Sequence, residues 1–171
     1  MLKVKALLFD VFGTVVDWRS GIANEVKKIA NKNKIVINPN DFADAWRVEY
    51  QPAMEEIRKG NRSFTILDTL HMENLKKISS RFGLDKLSSD DFDLLVKAWH
   101  RLPGWPDSSE GLNKLKTKFI IATQSNGNIA LMVNMAKYSN LNWDVILGAE
   151  VVGHYKPEPE AYLKACRALH L

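Results

Sequence analysis

The chain has 171 residues with 46% hydrophobic and 26% charged residues, which accommodates one core with an inserted subdomain but not two independent domains. It contains no apolar stretch long enough to span a membrane, and its formal net charge of +4 favours an anionic substrate while being too small to indicate nucleic acid. A single cysteine and the lack of a signal-type segment favour a cytoplasmic protein.

The first predicted element is a buried strand over residues 4–10. A near-continuous apolar run ends abruptly on Asp10, and Gly13 and Thr14 follow as a turn. Ligands of open α/β sheets bind at the carboxyl ends of the strands. We therefore expect the Asp10 carboxylate to lie at the ligand-binding edge of a sheet.

Residues 17–102 are predicted to form about four amphipathic helices and no strand. Pro52 predicts a kink or a break in the second of these helices, near Tyr50. The apolar positions at helical spacing are Ile22, Val26, Ile29, Phe42, Trp46, Tyr50, Ile57, Leu67, Leu70, Leu75, Ile78, Phe92, Leu95 and Trp99. A helical block that interrupts a sheet after its first strand is expected to cap the sheet edge.

Strand and helix signals alternate after a hinge at residues 102–106, where two prolines and a glycine occur. A short helix leads to a second buried strand over residues 118–123, a turn covers residues 124–127, and a helix leads to a third strand over residues 144–147. Helical connections predict a parallel sheet, with the first strand at one edge, the second central and the third outside it.

The last predicted helix follows Lys156 and Pro157. Tyr162, Cys166 and Leu169 fall on one side of it, which predicts a packed apolar face with a packed thiol. The expected organisation is thus an α/β core of residues 1–16 and 103–171, with a helical cap of residues 17–102.

Three short motifs follow the three predicted strands. They are Asp10-x-x-Gly13-Thr14, Ser125-Asn126-Gly127 and Lys156-Pro157. Together, and in this order, they resemble the first three motifs of the haloacid dehalogenase superfamily, which implies a Rossmann-like parallel sheet with an inserted helical cap. Phosphatases of that superfamily carry a second aspartate two positions after the first, where this chain has Phe12. The resemblance is therefore to the L-2-haloacid dehalogenase branch, whose halide leaving group needs no proton.

The resemblance also implies roles for individual residues. Asp10 is expected to attack the substrate and form an aspartyl ester, while Lys156 neutralises the carboxylate. The implied catalytic set is Asp10, Thr14, Ser125 and Lys156. The implied substrate-binding set is Val11, Phe12, Arg47, Ser125, Asn126 and Tyr162. Ser125 would hold the substrate carboxylate, and Arg47 and Asn126 would face the departing halide. Core packing is the open alternative for Tyr162.

The implied activity is hydrolysis of an L-2-haloalkanoate to the 2-hydroxy acid, with a small-molecule substrate and no cofactor. The four histidines show no metal-ligand spacing and are interpreted as surface or cap residues. A homodimer is an open alternative for the assembly, and neither nucleic acid nor membrane is expected as a partner. Two other functions stay open. One is a magnesium-dependent phosphatase, and the other is a non-catalytic relative that binds ligand without turnover.

One expectation concerns the end of the chain. The superfamily continues after the last helix with a further strand and an acidic fourth motif, neither of which follows Leu171 in this sequence. The resemblance thus predicts a core that is incomplete at its C-terminus, as in a truncated or decayed relative. It also predicts about one halide released per chain at most, because ester hydrolysis would lack part of its apparatus.

Overall fold

A computed structural model describes residues 4–171, so residues 1–3 of the expected core lie outside the described residues. Its strands are β1 (Ala6–Phe9) and β2 (Ile120–Thr123). Its α-helices are α1 (Trp18–Lys32), α2 (Pro39–Val48), α3 (Tyr50–Arg58), α4 (Leu67–Ser79), α5 (Ser89–Val96), α6 (Ser108–Lys116), α7 (Ile129–Tyr138), α8 (Ala149–Val152) and α9 (Pro159–Ala168). None of the helices in residues 4–171 combines the length and apolar character that a membrane crossing requires.

The sheet has the predicted parallel order. Phe9 of β1 lies opposite Thr123 of β2, and the Gln124 N–H donates to the Phe9 carbonyl at 2.6 Å. On the other side of β2, Val145 forms a parallel bridge with Ala122. The expected order, with the first strand at the edge and the second central, is therefore confirmed. Asp10 and the loop after β2 consequently emerge at the same end of the sheet.

The third strand, predicted over residues 144–147, was wrong in extent, because only the bridge at Val145 forms. Side chains occupy the backbone groups that a ladder would use. The Asp144 carboxylate accepts from the Ile121 N–H at 3.0 Å. The Thr123 hydroxyl accepts from the Leu147 N–H at 2.9 Å and donates to the Leu147 carbonyl at 3.2 Å. This segment is thus joined to β2 by the backbone hydrogen bonds of a single bridge and by side chains, rather than by a strand ladder.

The burial expected for β1 was also wrong. All four of its residues are only half-buried, and Val4 before it is 57% exposed. Within residues 4–171, β1 pairs with a strand on one side only. An apolar run therefore indicated a strand correctly but did not reveal how many neighbours would cover it.

The helical block agrees with the sequence. The second predicted helix breaks at Glu49 into α2 and α3, as Pro52 indicated. Pro52 lies in the first turn of α3, where its missing N–H leaves no intrahelical bond unmade. After α4, a 3₁₀ turn over Ser80–Phe82 ends at Gly83, whose φ of 67° is the left-handed conformation that glycine favours. Helix α8 was not predicted.

An aromatic cluster joins the helical block to the loop after β1. The Trp99 ring stacks on His71 with centroids 4.3 Å apart, and it meets Trp46 at 5.5 Å and Phe12 at 5.8 Å. These contacts belong to one continuous apolar cluster that includes residues of both parts of the chain. The cluster places α2, and with it Arg47, next to the residues that follow Asp10.

The predicted apolar face of the last helix was wrong for Tyr162, whereas Leu169 packs partly buried against the sheet. Helix α9 buries Ala161 and Ala165, whereas Tyr162 is 45% exposed and Cys166 is half-buried. Ala165 packs in a small cluster with Ala122 of β2. Because the small alanine side chains allow close approach to the sheet, the larger side chains of α9 lie beside the contact rather than in it.

Candidate active site

The Asp10 carboxylate is held at both oxygens. Lys156 Nζ lies 2.8 Å from Oδ1, and the Thr14 hydroxyl donates to Oδ2 at 2.8 Å. The Asp10 side chain is 48% exposed and that of Lys156 is 17% exposed. The expected contact between Lys156 and Asp10 is therefore observed, with the carboxylate still open to solvent.

The turn after β1 explains how Thr14 reaches back to Asp10. Gly13 has a φ of 89°, and its N–H donates to the Val16 carbonyl at 3.0 Å. The Val15 N–H donates to the Val11 carbonyl at 2.9 Å, which closes the turn. Residues other than glycine rarely adopt this φ, so a glycine at position 13 allows the chain to fold back onto the carboxylate.

The loop after β2 contacts the backbone of Lys156. Asn126 is buried, and its Oδ1 accepts from the Lys156 N–H at 2.8 Å. Ser125 is also buried, and its hydroxyl oxygen accepts from the Gly127 N–H at 3.1 Å. Within residues 4–171 the Ser125 hydroxyl makes no hydrogen bond to Asp10. The Ser125 O–H proton is left available.

A cavity of about 520 Å³ opens beside Asp10. The sequence-predicted residues that line it are Asp10, Arg47, Asn126, Lys156 and Tyr162. Because Tyr162 lines the cavity and is half-exposed, the core-packing alternative for it was wrong.

The other predicted site residues do not line this cavity. They are Val11, Phe12, Thr14 and Ser125. Val11 and Phe12 bury their side chains, which are 1% and 7% exposed. Their backbone N–H groups donate to no backbone carbonyl in the described part of the chain. Any contact of these two residues with a ligand would therefore come from the backbone.

Arg47 carries a charge that no carboxylate neutralises among residues 4–171. Its guanidinium carbon lies 3.9 Å from the centre of the Tyr50 ring and 5.4 Å from the centre of the Trp18 ring. Such cation–π contacts orient a guanidinium without neutralising it. Its Nη1 atom is buried and has no hydrogen-bond partner in the described chain. Burial raises the pKa of the Tyr50 hydroxyl although Arg47 opposes the shift, so Tyr50 stays neutral.

Sequence reasoning missed the polar side of α3, where Tyr50, Gln51, Glu55 and Arg58 also line the cavity. Arg58 Nε donates to Glu55 at 2.7 Å and Nη2 donates to Gln51 at 3.2 Å. Its Nη1 donates to the Lys156 carbonyl at 3.1 Å. The spacing of residues 51, 55 and 58 places them on one helix face, so this periodicity could have identified them.

A second polar network joins the two parts of the chain away from the cavity. His100 is 2% exposed, with Nε2 2.9 Å from Asp68 Oδ1 and Nδ1 2.9 Å from the Asn134 amide nitrogen. Asn128, which precedes α7, donates to the Asp68 carboxylate at 3.1 Å and accepts from the Asp68 N–H at 3.2 Å.

In residues 4–171, no group of three or more His, Cys, Asp or Glu side chains could hold a metal ion.

Comparisons with known proteins agree on one family. The sequence profile of the haloacid dehalogenase-like hydrolases matches residues 4–171. The (S)-2-haloacid dehalogenase 4A of Burkholderia cepacia is 29% identical over 175 residues, covering 98% of this chain and 70% of that protein.

Two solved structures resemble the chain closely. The defluorinating L-2-haloacid dehalogenase Rha0230 is 46% identical with a TM-score of 0.96, and the match covers 99% of this chain and 70% of that one. The L-2-haloacid dehalogenase PA0810 is 40% identical with a TM-score of 0.94, and the match covers 99% of this chain and 72% of that one. Both share the fold of this chain over almost its whole length.

Proposed function

The chain belongs to the haloacid dehalogenase-like hydrolase family, and from that premise we propose that it is a hydrolytic dehalogenase that converts an L-2-haloalkanoic acid to the 2-hydroxy acid. The relatives that cover almost the whole chain are 2-haloacid dehalogenases. The observation that carries the proposal is the Asp10 carboxylate, held by Lys156 and Thr14 beside a cavity that contains the unneutralised guanidinium of Arg47.

In the proposed first step, an Asp10 oxygen attacks C2 of the substrate. The new oxygen–carbon bond forms as the carbon–halogen bond breaks, and the halide leaves with the bonding electron pair. Lys156 and Thr14 fix the carboxylate in place before the attack, which lowers the entropic part of the barrier. Water then hydrolyses the ester, which restores the carboxylate and releases the 2-hydroxy acid and a proton.

The remaining predicted residues are proposed to bind the halogen and the carboxylate of the substrate. Arg47 and Asn126 would face the halogen, because Arg47 keeps an unpartnered N–H in a buried position. The substrate carboxylate would be held by the free Ser125 hydroxyl proton and by the backbone N–H groups of Val11 and Phe12. Tyr162 would close the outer side of the cavity.

The charges that line the cavity support a monoanionic substrate. Lys156 pairs with Asp10 and Arg58 pairs with Glu55, which leaves Arg47 as the unpaired charge among the lining residues of the described chain. The resulting charge of one unit is complementary to one carboxylate. We propose that no metal takes part, because a departing halide needs neither a proton nor a second carboxylate.

The phosphatase alternative has less support. The second aspartate of such phosphatases would stand at position 12, where the Phe12 ring packs edge-on against Trp99 at 5.8 Å.

We also keep, as a proposal, the division into a core of residues 1–16 and 103–171 and a cap of residues 17–102. It is supported by the cavity, because both parts of the chain line it: Arg47 and Arg58 from the cap, and Asp10 and Lys156 from the core.

The test is halide release from L- and D-2-chloropropionate, with 2-hydroxypropionate quantified by chromatography. Asp10→Asn should abolish release of halide from the L-enantiomer. Asp85→Asn is the matched control, because Asp85 is an exposed aspartate outside the cavity, and it should leave the rate unchanged. Phosphate release from an aryl phosphate without halide release would instead favour the phosphatase alternative.

A single turnover in ¹⁸O-labelled water separates the two hydrolytic routes. Attack of water on the ester carbonyl places the label in the peptide that contains Asp10, which mass spectrometry detects. Direct displacement of the halide by water would place the label in the first molecule of product. That second outcome would refute the covalent intermediate while leaving the dehalogenase activity in place.

A further inference from the structure

Arg58 is a cavity residue, and each nitrogen of its guanidinium is hydrogen-bonded to the protein. Its side chain is 12% exposed although it ends α3, and Nε, Nη1 and Nη2 each donate a hydrogen bond. Two of the acceptors, Glu55 and Gln51, belong to its own helix. The third is the backbone carbonyl of Lys156, which lies 98 residues further along the chain. Because Glu55 neutralises its charge, Arg58 is poorly suited to bind a substrate anion, unlike Arg47.

Lys156 is consequently held at three points. Its carbonyl accepts from Arg58 at 3.1 Å, its N–H donates to Asn126 at 2.8 Å, and its ammonium lies 2.8 Å from Asp10. The preceding residue is also fixed to the helical block, because the buried Tyr155 hydroxyl donates to the Thr65 carbonyl. The backbone at position 156 is thus fixed by α3 on one side and by the loop after β2 on the other.

We propose that Arg58 is a positioning residue for Lys156. By fixing the Lys156 carbonyl, it holds the lysine backbone at the distance from which the ammonium reaches the Asp10 carboxylate. Glu55 and Gln51 support this function because they fix the plane of the guanidinium. The kinetic consequence rests on the proposed dehalogenase function, whereas the effect on the Lys156 ammonium does not.

The test compares Arg58→Met and Arg58→Lys with Arg19→Met as the matched control. Arg19 is a cap arginine that pairs with Asp44 at the surface, outside the cavity. The first measurement needs no substrate. The rate at which an N-hydroxysuccinimide acetate labels the Lys156 amine is followed by mass spectrometry. We expect Arg58→Met to raise this rate several-fold, because the amine spends less time bound to Asp10. Arg58→Lys should give an intermediate rate, and Arg19→Met should leave the rate unchanged.

The second measurement is steady-state turnover of L-2-chloropropionate. Misplacement of a catalytic group by about 1 Å can reduce a rate on the order of 100-fold, so we expect kcat of Arg58→Met to fall between about 10- and 100-fold. KM should change little, because in this proposal Arg58 positions Lys156 rather than binding the substrate. Partial recovery of kcat in Arg58→Lys would match the intermediate labelling rate.

The outcomes are distinguishable. A higher KM with an unchanged kcat would overturn the proposal by making Arg58 a substrate-binding residue. Unchanged labelling in folded Arg58→Met would overturn it directly. If Arg58→Met does not fold, unchanged labelling in Arg58→Lys decides against it in the same way. If the wild-type protein releases no halide but Arg58→Met still accelerates labelling, the dehalogenase function fails and the positioning role stands.

Discussion

His71 should make the folded chain sensitive to moderate acid. The side chain is 2% exposed, it stacks on Trp99, and neither ring nitrogen has a hydrogen-bond partner in residues 4–171. Burial lowers the pKa of His71 from 6.5 to about 3. Arg47 and His100 act in the same direction, while Asp68 opposes the shift. The folded protein therefore keeps this imidazole neutral at pH values where the unfolded chain protonates it.

The size of this effect on the free energy of unfolding follows from proton linkage. Between the two pKa values the unfolded chain binds one more proton at this position, so the free energy of unfolding rises with pH. The stability that the neutral imidazole provides is fully present above the unfolded pKa and is lost as the pH falls below it. With a pKa of 6.5 in the unfolded chain and about 3 in the folded one, lowering the pH from about 7 to about 5 should reduce the free energy of unfolding by about 2 kcal/mol.

The assay is urea unfolding followed by tryptophan fluorescence at both pH values. His71→Phe and His71→Leu should each lose about 2 kcal/mol less than the wild type between the two pH values. The change with pH is the decisive quantity, because the absolute stability also depends on how each new side chain fits. His170→Asn replaces an exposed histidine with a residue that tolerates its φ of 53°, and it should behave like the wild type. Equal pH dependence in the wild type and both His71 variants would refute the reasoning.

Four further predictions concern single residues. Lys156→Met should lower kcat for halide release by about 100- to 1000-fold, because the Asp10 carboxylate loses its charged partner; an unchanged kcat would exclude that role. Gly111→Ala should stabilise α6 by about 0.5–1 kcal/mol, since a Cβ there meets nothing within 4 Å. In Gly148→Ala a Cβ would lie 2.6 Å from the Ile129 nitrogen, so a loss of about 1–3 kcal/mol in urea unfolding is expected, and wild-type stability would contradict it. Ser88→Ala should cost about 1 kcal/mol by the same assay, because the Ser88 hydroxyl accepts from the Asp91 N–H and caps α5; no loss would show that the cap contributes little.

The fold was predictable from the sequence where it depends on local patterns. Helical periodicity located the helices between Trp18 and Arg101, and Pro52 located the break between α2 and α3. The extent of the third strand could not be predicted. Residues 144–147 do not extend the ladder because the side chains of Asp144 and Thr123 form the hydrogen bonds that the ladder would need. These hydrogen bonds join residues 21 or more positions apart in the chain, and no local sequence pattern describes such contacts.

The site was predictable where a motif supplied the residue. Asp10 and Asn126 follow the ends of β1 and β2, and parallel strands bring those ends together, so their proximity follows from the topology. Lys156 lies in the loop between α8 and α9, and the motif alone indicated that it reaches both residues. The side of α3 that carries Arg58 could not be assigned in the same way. Its direction depends on the break at Glu49 and on how α3 packs against α4, which are tertiary features.

The charges that line the cavity suggest how the two proposed half-reactions follow each other. Before reaction, Lys156 is paired with Asp10, and the substrate carboxylate balances the net charge of one unit that Arg47 gives the cavity. Formation of the ester makes Asp10 neutral and releases one halide ion, so the lysine charge is unpaired as the new anion appears. The unpaired lysine charge therefore adds to the attraction that keeps the halide in the cavity. Hydrolysis restores the Asp10 carboxylate, which forms its ion pair with Lys156 again. The electrostatic attraction between the cavity and the halide is then weaker. Release of the halide should thus be favoured by completion of the second step.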